Sequence, residues 1–299
     1  MKILLTGPTG FIGSAFLRLA LERGHEVAAL VRPEHAVPAG PKSAKNCSWF
    51  RGTLADAPWR DIAAFGPEVC VHTAWISTPG VYLDSPENER FVEWSREFGK
   101  RAVEAGVRHV IVLGTCIEYQ ITRAPLAEDR TPVLPTTTYA RCKHELHSRL
   151  QEALATEQAS LCWARVFYPY GPGEHPSRLC SSLVQSIRRG QPVTLKTPDS
   201  TKDYIYIDDL ARALLLLVER SFAGAINLGT GEGVTVRQIA ERIEQLLGRR
   251  GLVEYPAQPA PDPFGYMVAD ATKLRALGWR PEVNLESGLA RLVQALQNS

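Results

Sequence analysis

The run Ile3-Leu4-Leu5-Thr6-Gly7-Pro8-Thr9-Gly10-Phe11-Ile12-Gly13 restricts this chain more than any other stretch. Three apolar residues make a short buried strand, a glycine turn follows, and from Phe11 the pattern turns helical. Ile12, Ala15, Phe16, Leu19 and Ala20 recur at helical spacing, with Arg18, Glu22 and Arg23 on the other face and Gly24 at the C-cap. A strand that passes through such a turn into a helix N-terminus builds an anion site. Unpaired backbone N–H groups and the positive end of the helix dipole face the ligand there. Gly7 permits the tight turn, Gly10 lets a phosphate approach the backbone, and Gly13 lets the helix lie close on the strand. With strand and helix both in place, the turn reads as a dinucleotide site.

Composition removes several alternatives. A formal net charge of +2, with 22% charged and 44% hydrophobic residues, gives no reason to expect a nucleic-acid or membrane partner. The longest aliphatic run, Ala213 to Val218, is about a third of a bilayer span. The apolar stretch after Met1-Lys2 is too short for a signal-peptide core, so a cytoplasmic protein is expected. Cysteines at 47, 70, 116, 142, 162 and 180 include no Cys-x-x-Cys pair, which reads as a reduced compartment. His144 and His147 share a helix without a third ligand, so no metal is expected.

Strands and helices then alternate, the pattern of a doubly wound parallel α/β sheet. Val27 to Val31 is the second strand and ends in Arg32-Pro33, where NAD-preferring folds carry an acid that accepts from the adenosine ribose. Arginine cannot accept those bonds but neutralises a 2′-phosphate, which points to NADP(H), with NAD as the alternative. Residues 33–48 read as a surface loop, Trp49 to Leu54 as the third strand and Val69 to Trp75 as the fourth. A helix over Asn88 to Glu104 leads to the fifth strand, Val110 to Gly114. Thr115 stands at its carboxyl end, where ligands of open α/β sheets bind. A loop at 122–138 precedes a helix from Thr138 to Thr156, whose first turns place Tyr139 and Lys143 on one face.

The glycine turn, Thr115 and Tyr139-x-x-x-Lys143, in this order, resemble the extended short-chain dehydrogenase/reductases, in particular their nucleotide-sugar epimerase, dehydratase and reductase branch. Further matches are Gly114 to Tyr119, Asn88, Arg165 to Pro172, Lys202 to Asp209 and Ile226 to Gly231. The resemblance implies a Rossmann sheet of about seven strands and a smaller, discontinuous α+β substrate-binding lobe. It sets the first at 1–168 and 223–249 and the second at 169–222 and 250–299. It also implies a homodimer through the helices at 88–104 and 138–156. Cofactor contacts carried over are Gly7, Thr9, Gly10, Phe11, Ile12, Gly13, Arg32, Leu54, Thr73, Ala74, Tyr139, Lys143 and Phe167. Substrate contacts carried over are Trp75, Cys116, Glu118, Tyr168, His175, Arg178 and Lys202.

The catalytic set implied is Thr115, Tyr139 and Lys143. A phenol titrates near pH 10, and a cation beside it lowers that by roughly 1–3 units. Tyr139 would thus serve as general acid or base, worth on the order of 10² to 10⁴ in rate. Cys116 and Ile117 stand where the branch's 4,6-dehydratases carry an Asp-Glu pair, which disfavours dehydration. Reduction of a nucleoside-diphosphate keto-sugar by NADPH, at C4, is the leading expectation. Epimerisation with NAD is second, and a non-catalytic NADP sensor on the same fold is third. Lys202 stands where the branch has an arginine, Tyr168 replaces an asparagine, and the expected arginine near Ala260 is absent from the proline-rich 259–263. These changes weaken bidentate recognition of a diphosphate.

Overall fold

The structure, a computed structural model, describes residues 1–36 and 45–298. Of the loop expected at 33–48, residues 37–44 therefore lie outside the described residues. The first half of the chain contains β1 (Lys2–Thr6), α1 (Phe11–Glu22), β2 (Glu26–Val31), β3 (Cys47–Arg51), α2 (Trp59–Phe65), β4 (Val69–His72), α3 (Glu87–Glu104), β5 (His109–Thr115) and α4 (Thr138–Ala155). The second half continues with β6 (Ser160–Val166), β7 (Tyr168–Tyr170), α5 (Leu179–Arg188), β8 (Val193–Thr194), β9 (Thr201–Tyr206), α6 (Ile207–Arg220) and β10 (Gly224–Leu228). It closes with β11 (Gly233–Thr235), α7 (Val236–Leu247), β12 (Val253–Glu254), β13 (Tyr266–Met267), α8 (Thr272–Ala276) and α9 (Leu285–Gln297).

Seven strands form one sheet in the order β10-β6-β5-β4-β1-β2-β3, the doubly wound Rossmann arrangement expected. Its strand order reverses between β1 and β4, so the ends of these two strands open the crevice where ligands bind. β4 and β5 are buried along their whole length, as strands covered on both faces must be. Helices α3 and α4 cover β4 and β5 with Val92, Phe98, Ala102, Leu146 and Leu150, in one core with Leu4, Cys70, Val110 and Trp163. Thr137 caps α4 by accepting the Ala140 N–H, which fixes where the Tyr139–Lys143 turn begins.

Contacts divide the chain into two compact units. The first comprises 1–118, 135–165 and 211–226; the second comprises 119–134, 166–210 and 227 onward. The boundaries thus differ from those read in the sequence. Residues 211–226 join the first unit because α6 buries an apolar face and β10 extends the seven-stranded sheet. Residues 119–134 join the second unit. Leu126 takes part in a bridge with Ala269, and the Tyr119 hydroxyl donates to Asn227 at 2.8 Å. Helix α7 belongs there too, packed on α5 and α9. In this unit β9 pairs with β11, β13 and β7. The buried Asp203 carboxylate on β9 accepts from the backbone of Thr230, Gly231 and Ala269 and from the Thr230 hydroxyl, at 2.6 to 3.2 Å.

Candidate active site

The glycine turn has the shape its spacing implies. Gly7 has φ +68°, and a Cβ there would stand 2.7 Å from Thr73 Oγ1. A Cβ on Gly13 would run into the Gly7 carbonyl, whereas one on Gly10 meets only that carbonyl, at 3.4 Å. Gly10 is the N-cap of α1; no side chain caps it and no acid stands in the first turn. A cradle of bare N–H groups with an open side fits a pyrophosphate. Beside it, Thr73 Oγ1 donates to the Thr6 carbonyl at 2.7 Å, and Thr6 Oγ1 accepts the N–H groups of Thr73 and Ala74 at 3.2 Å. His72 locks the two strand ends further, bonded to Thr6 Oγ1 at 2.8 Å and Ser95 Oγ at 2.9 Å. Burial, with Lys143 beside it, pushes that imidazole down to about 3, so it is neutral.

Thr115, Tyr139 and Lys143 come together as expected from their order. The Thr115 side chain stands beside the Tyr139 phenol and favours its ionised form. The Lys143 nitrogen lies 5.9 Å from the centre of the Tyr139 ring and 3.8 Å above the Trp75 indole, and it donates to the Leu113 carbonyl at 2.9 Å. The expected acidification of the phenol is not found. Burial, reinforced by Tyr82, Glu118 and Cys116, raises the Tyr139 pKa above its ordinary value, against the pull of Thr115. Burial also pulls Lys143 down to about 7, against the pull of Glu118. Desolvation outweighs attraction here because Lys143 is buried, Tyr139 is half-buried under Tyr82 and Trp75, and the amine is turned toward a carbonyl and an indole face.

Aromatic residues that sequence reading left without a role wall this site. Tyr82 meets Tyr139 edge-on at 4.9 Å, and Phe91 lies 5.2 Å from Trp75. Asn88 organises them: it accepts the Trp75 indole N–H at 2.8 Å and donates to the carbonyls of Tyr82 and Ser85 at 2.7 and 2.8 Å. The Leu83 carbonyl accepts the Tyr139 N–H at 2.9 Å, tying the start of α4 to the same loop. Only the position of Asn88 signalled this wall in the sequence.

Two residues carried over as substrate contacts are held by the protein itself. Glu118 has no exposed surface, and its carboxylate is held by the Thr115 N–H, the Trp163 indole and the Arg165 guanidinium. In the second unit Lys202 is buried, bonded to Asp262 at 2.8 Å and to the Phe264 carbonyl, 5.4 Å from the centre of the Tyr168 ring. Its ammonium is therefore committed within the protein. Cys116 is buried, while His175 is exposed and bonded to Ser177. Arg178 is the half-buried N-cap of α5. Phe167 is buried, its N–H given to the Leu228 carbonyl at 3.1 Å. Arg32 stands at the end of β2 with 61% of its side chain exposed and Glu34 at 3.3 Å. Leu54 lines a pocket with Asp56, Trp59, Glu97 and Arg101.

A Rossmann sheet with a phosphate cradle at its first turn and a Thr–Tyr–Lys set beyond β5 defines a nicotinamide-dependent oxidoreductase. Residues 3–229 match the model of the NAD dependent epimerase/dehydratase family, and the chain belongs to that family. A UDP-glucose 4-epimerase of Corynebacterium glutamicum is 28% identical over 308 aligned positions, covering 94% of this chain and 91% of that protein. A dTDP-4-dehydro-6-deoxyglucose reductase of Escherichia coli is 23% identical, covering 99% and 97%. The structure of a Thermus thermophilus UDP-glucose 4-epimerase in complex with NAD superposes with a TM-score of 0.82 at 27% identity, over the whole of both chains. No helix among the described residues is long and apolar enough to cross a membrane.

Proposed function

We propose that the chain reduces a keto-sugar carried on a nucleoside diphosphate, at the sugar C4, with NADPH as reductant. The observation that carries this reading is the Tyr139 phenol placed beside Thr115, with the Lys143 nitrogen 5.9 Å from its ring and the aromatic wall of Trp75 and Tyr82 around it. A protonated phenol is prepared to give its proton to the oxygen of a carbonyl as that carbonyl is reduced. Cys116 and Ile117, both buried, offer no acid–base pair for dehydration.

The nicotinamide, when bound, supplies the hydride. The first-turn N–H groups of α1, with Thr73 and Ala74, would hold its pyrophosphate, and Lys143 its ribose. The arginine at the end of β2, in place of a carboxylate, supports NADP(H) over NAD(H). Thr115 would orient the carbonyl oxygen, and Trp75 and Tyr82 would exclude water. The reading extends to a cytoplasmic homodimer through α3 and α4, supported by Trp94, which is 37% exposed on α3. A second reading, a 4-epimerase with NAD, is supported by the names of the C. glutamicum and T. thermophilus relatives.

The test is incubation with NADPH and a panel of 4-keto nucleotide sugars, following absorbance of the reduced cofactor. Oxidation of NADPH with alcohol formed at C4 is expected. Purification with stoichiometric NAD, and interconversion of C4 epimers without net oxidation, would favour the epimerase instead.

A further inference from the structure

Directly behind Thr115 the chain buries a carboxylate that the chemistry above does not use. Glu118 ends the short turn Cys116–Glu118 after β5, and two of its three residues are apolar. Its Oε1 accepts the Thr115 N–H at 2.8 Å, and its Oε2 accepts the Trp163 indole at 3.0 Å and Arg165 Nε at 2.9 Å. Arg165 is as deeply placed, 3% of its side chain exposed. A buried ion pair costs more in desolvation than an apolar pair of the same size, so stability alone does not account for this one. The strand is also trimmed to admit it. A Cβ on Gly114 would collide with the Trp163 indole nitrogen and stand 2.8 Å from Glu118 Oε1.

We propose that Glu118 is a positioning residue for the reaction: its carboxylate anchors the Thr115 backbone and supplies the buried negative charge that Tyr139 and Lys143 face. This rests on the oxidoreductase reading above. Its charge opposes ionisation of the phenol, after burial and Tyr82, and favours the ammonium against burial. The other groups facing the pair are Tyr82 from the loop before α3, Cys116 after β5, and His72 on β4, which is neutral. Arg165 on β6 faces Glu118 and also His147 of α4, whose ring stacks on Trp163 at 4.7 Å and is pushed down to about 4 by burial. Glu118 is thus paired with Arg165 on one side and acts on Tyr139 and Lys143 on the other.

Three variants of the full chain separate its roles. Glu118→Gln keeps an oxygen for the Thr115 amide and removes the charge. Glu118→Val removes both. Glu118→Gln/Arg165→Met leaves no buried charge unpaired, should the single change fold poorly. In Glu118→Gln the alkaline limb of kcat is expected to move down by about one pH unit, with KM within about twofold. Glu118→Val is expected to lower kcat about tenfold or more across the pH range.

A second readout needs no turnover. The Lys143 side chain, followed by NMR and assigned with Lys143→Arg, is expected to titrate lower in Glu118→Gln and in the double variant than in the parent. If folded Glu118→Gln or the double variant leaves that titration in place, the positioning role is overturned, whatever the keto-sugar assay shows. If the titration moves but no keto-sugar is reduced, the inference about charge stands and the proposed function fails. A purely structural carboxylate would lower the unfolding temperature and move neither titration.

Discussion

The Asp203 knot of the second unit and the Tyr139–Lys143 pair of the first treat their polar groups in opposite ways. In the second, the buried carboxylates of Asp203 and Asp209 are taken up by backbone donors. Asp203 accepts four hydrogen bonds, and Asp209 takes the N–H groups of Glu282 and Val283 at 3.1 Å each. In the first, Lys143 has three donors and gives one to the Leu113 carbonyl, with the face of Trp75 beneath it. Tyr139 stands beside Thr115 and is otherwise ringed by aromatic edges. A buried polar group that is saturated holds a fold together. One with capacity left, beside a cradle for phosphates, is available to a ligand. The difference separates a pair with capacity left for a ligand from knots that hold the backbone.

The change expected to test this contrast hardest is Tyr139→Phe. It removes one hydroxyl and leaves the aromatic wall in place, so kcat should fall on the order of a thousandfold. Calorimetry should find cofactor affinity within about twofold of the parent. Near-normal turnover would dissolve the contrast, because the phenol would then be one more packed aromatic. Asp203→Ala is the mirror experiment. It strands the donors of Thr230, Gly231 and Ala269, each costing about 1–3 kcal/mol when buried without a partner. Urea unfolding should show a loss of about 3–5 kcal/mol. A loss below about 1 kcal/mol would mean that the knot does not stabilise the second unit.

What was legible in the chain follows the same division. The strand, turn and helix at 2–22 depend on contacts a few residues apart, and the structure reproduces them. So does the placement of Thr115, Tyr139 and Lys143, because strand-end topology and helical spacing are local rules. The third strand was read at 49–54 and lies at 47–51, with Gly52 bonded to the Val31 carbonyl where the ladder ends. Helix α2 is seven residues long and follows Pro58, too short for its period to show. The internal partners of Glu118 were hidden for a different reason. A charged residue three positions beyond a catalytic threonine looks like a ligand contact, and its true partners lie 45 and 47 residues further on. The surroundings of the phenol were equally hidden, since they are set by Tyr82 and Trp75, not by the spacing of tyrosine and lysine.

Lys202 gives the smallest effect and the finest test. Sequence reasoning offers it to a diphosphate, because arginine stands there in the branch the chain resembles. In the structure its nitrogen bonds Asp262 and the Phe264 carbonyl. Hydrogen bonds from Lys202 and Ser200 hold the Asp262 carboxyl below its ordinary range although burial opposes them. An ammonium so committed would have to leave a carboxylate to meet a phosphate, exchanging one anion for another at little gain. Lys202→Gln, which still donates to Asp262, should therefore change KM for a nucleotide sugar by less than about threefold. Because the folded Asp262 pKa is depressed, its contribution to stability is present above the unfolded carboxylate pKa near 4 and is lost as pH falls through the folded value. Unfolding curves of the parent and Lys202→Gln should consequently diverge near neutral pH and converge in acid. A tenfold rise in KM with unchanged stability would reverse the assignment and return Lys202 to the substrate.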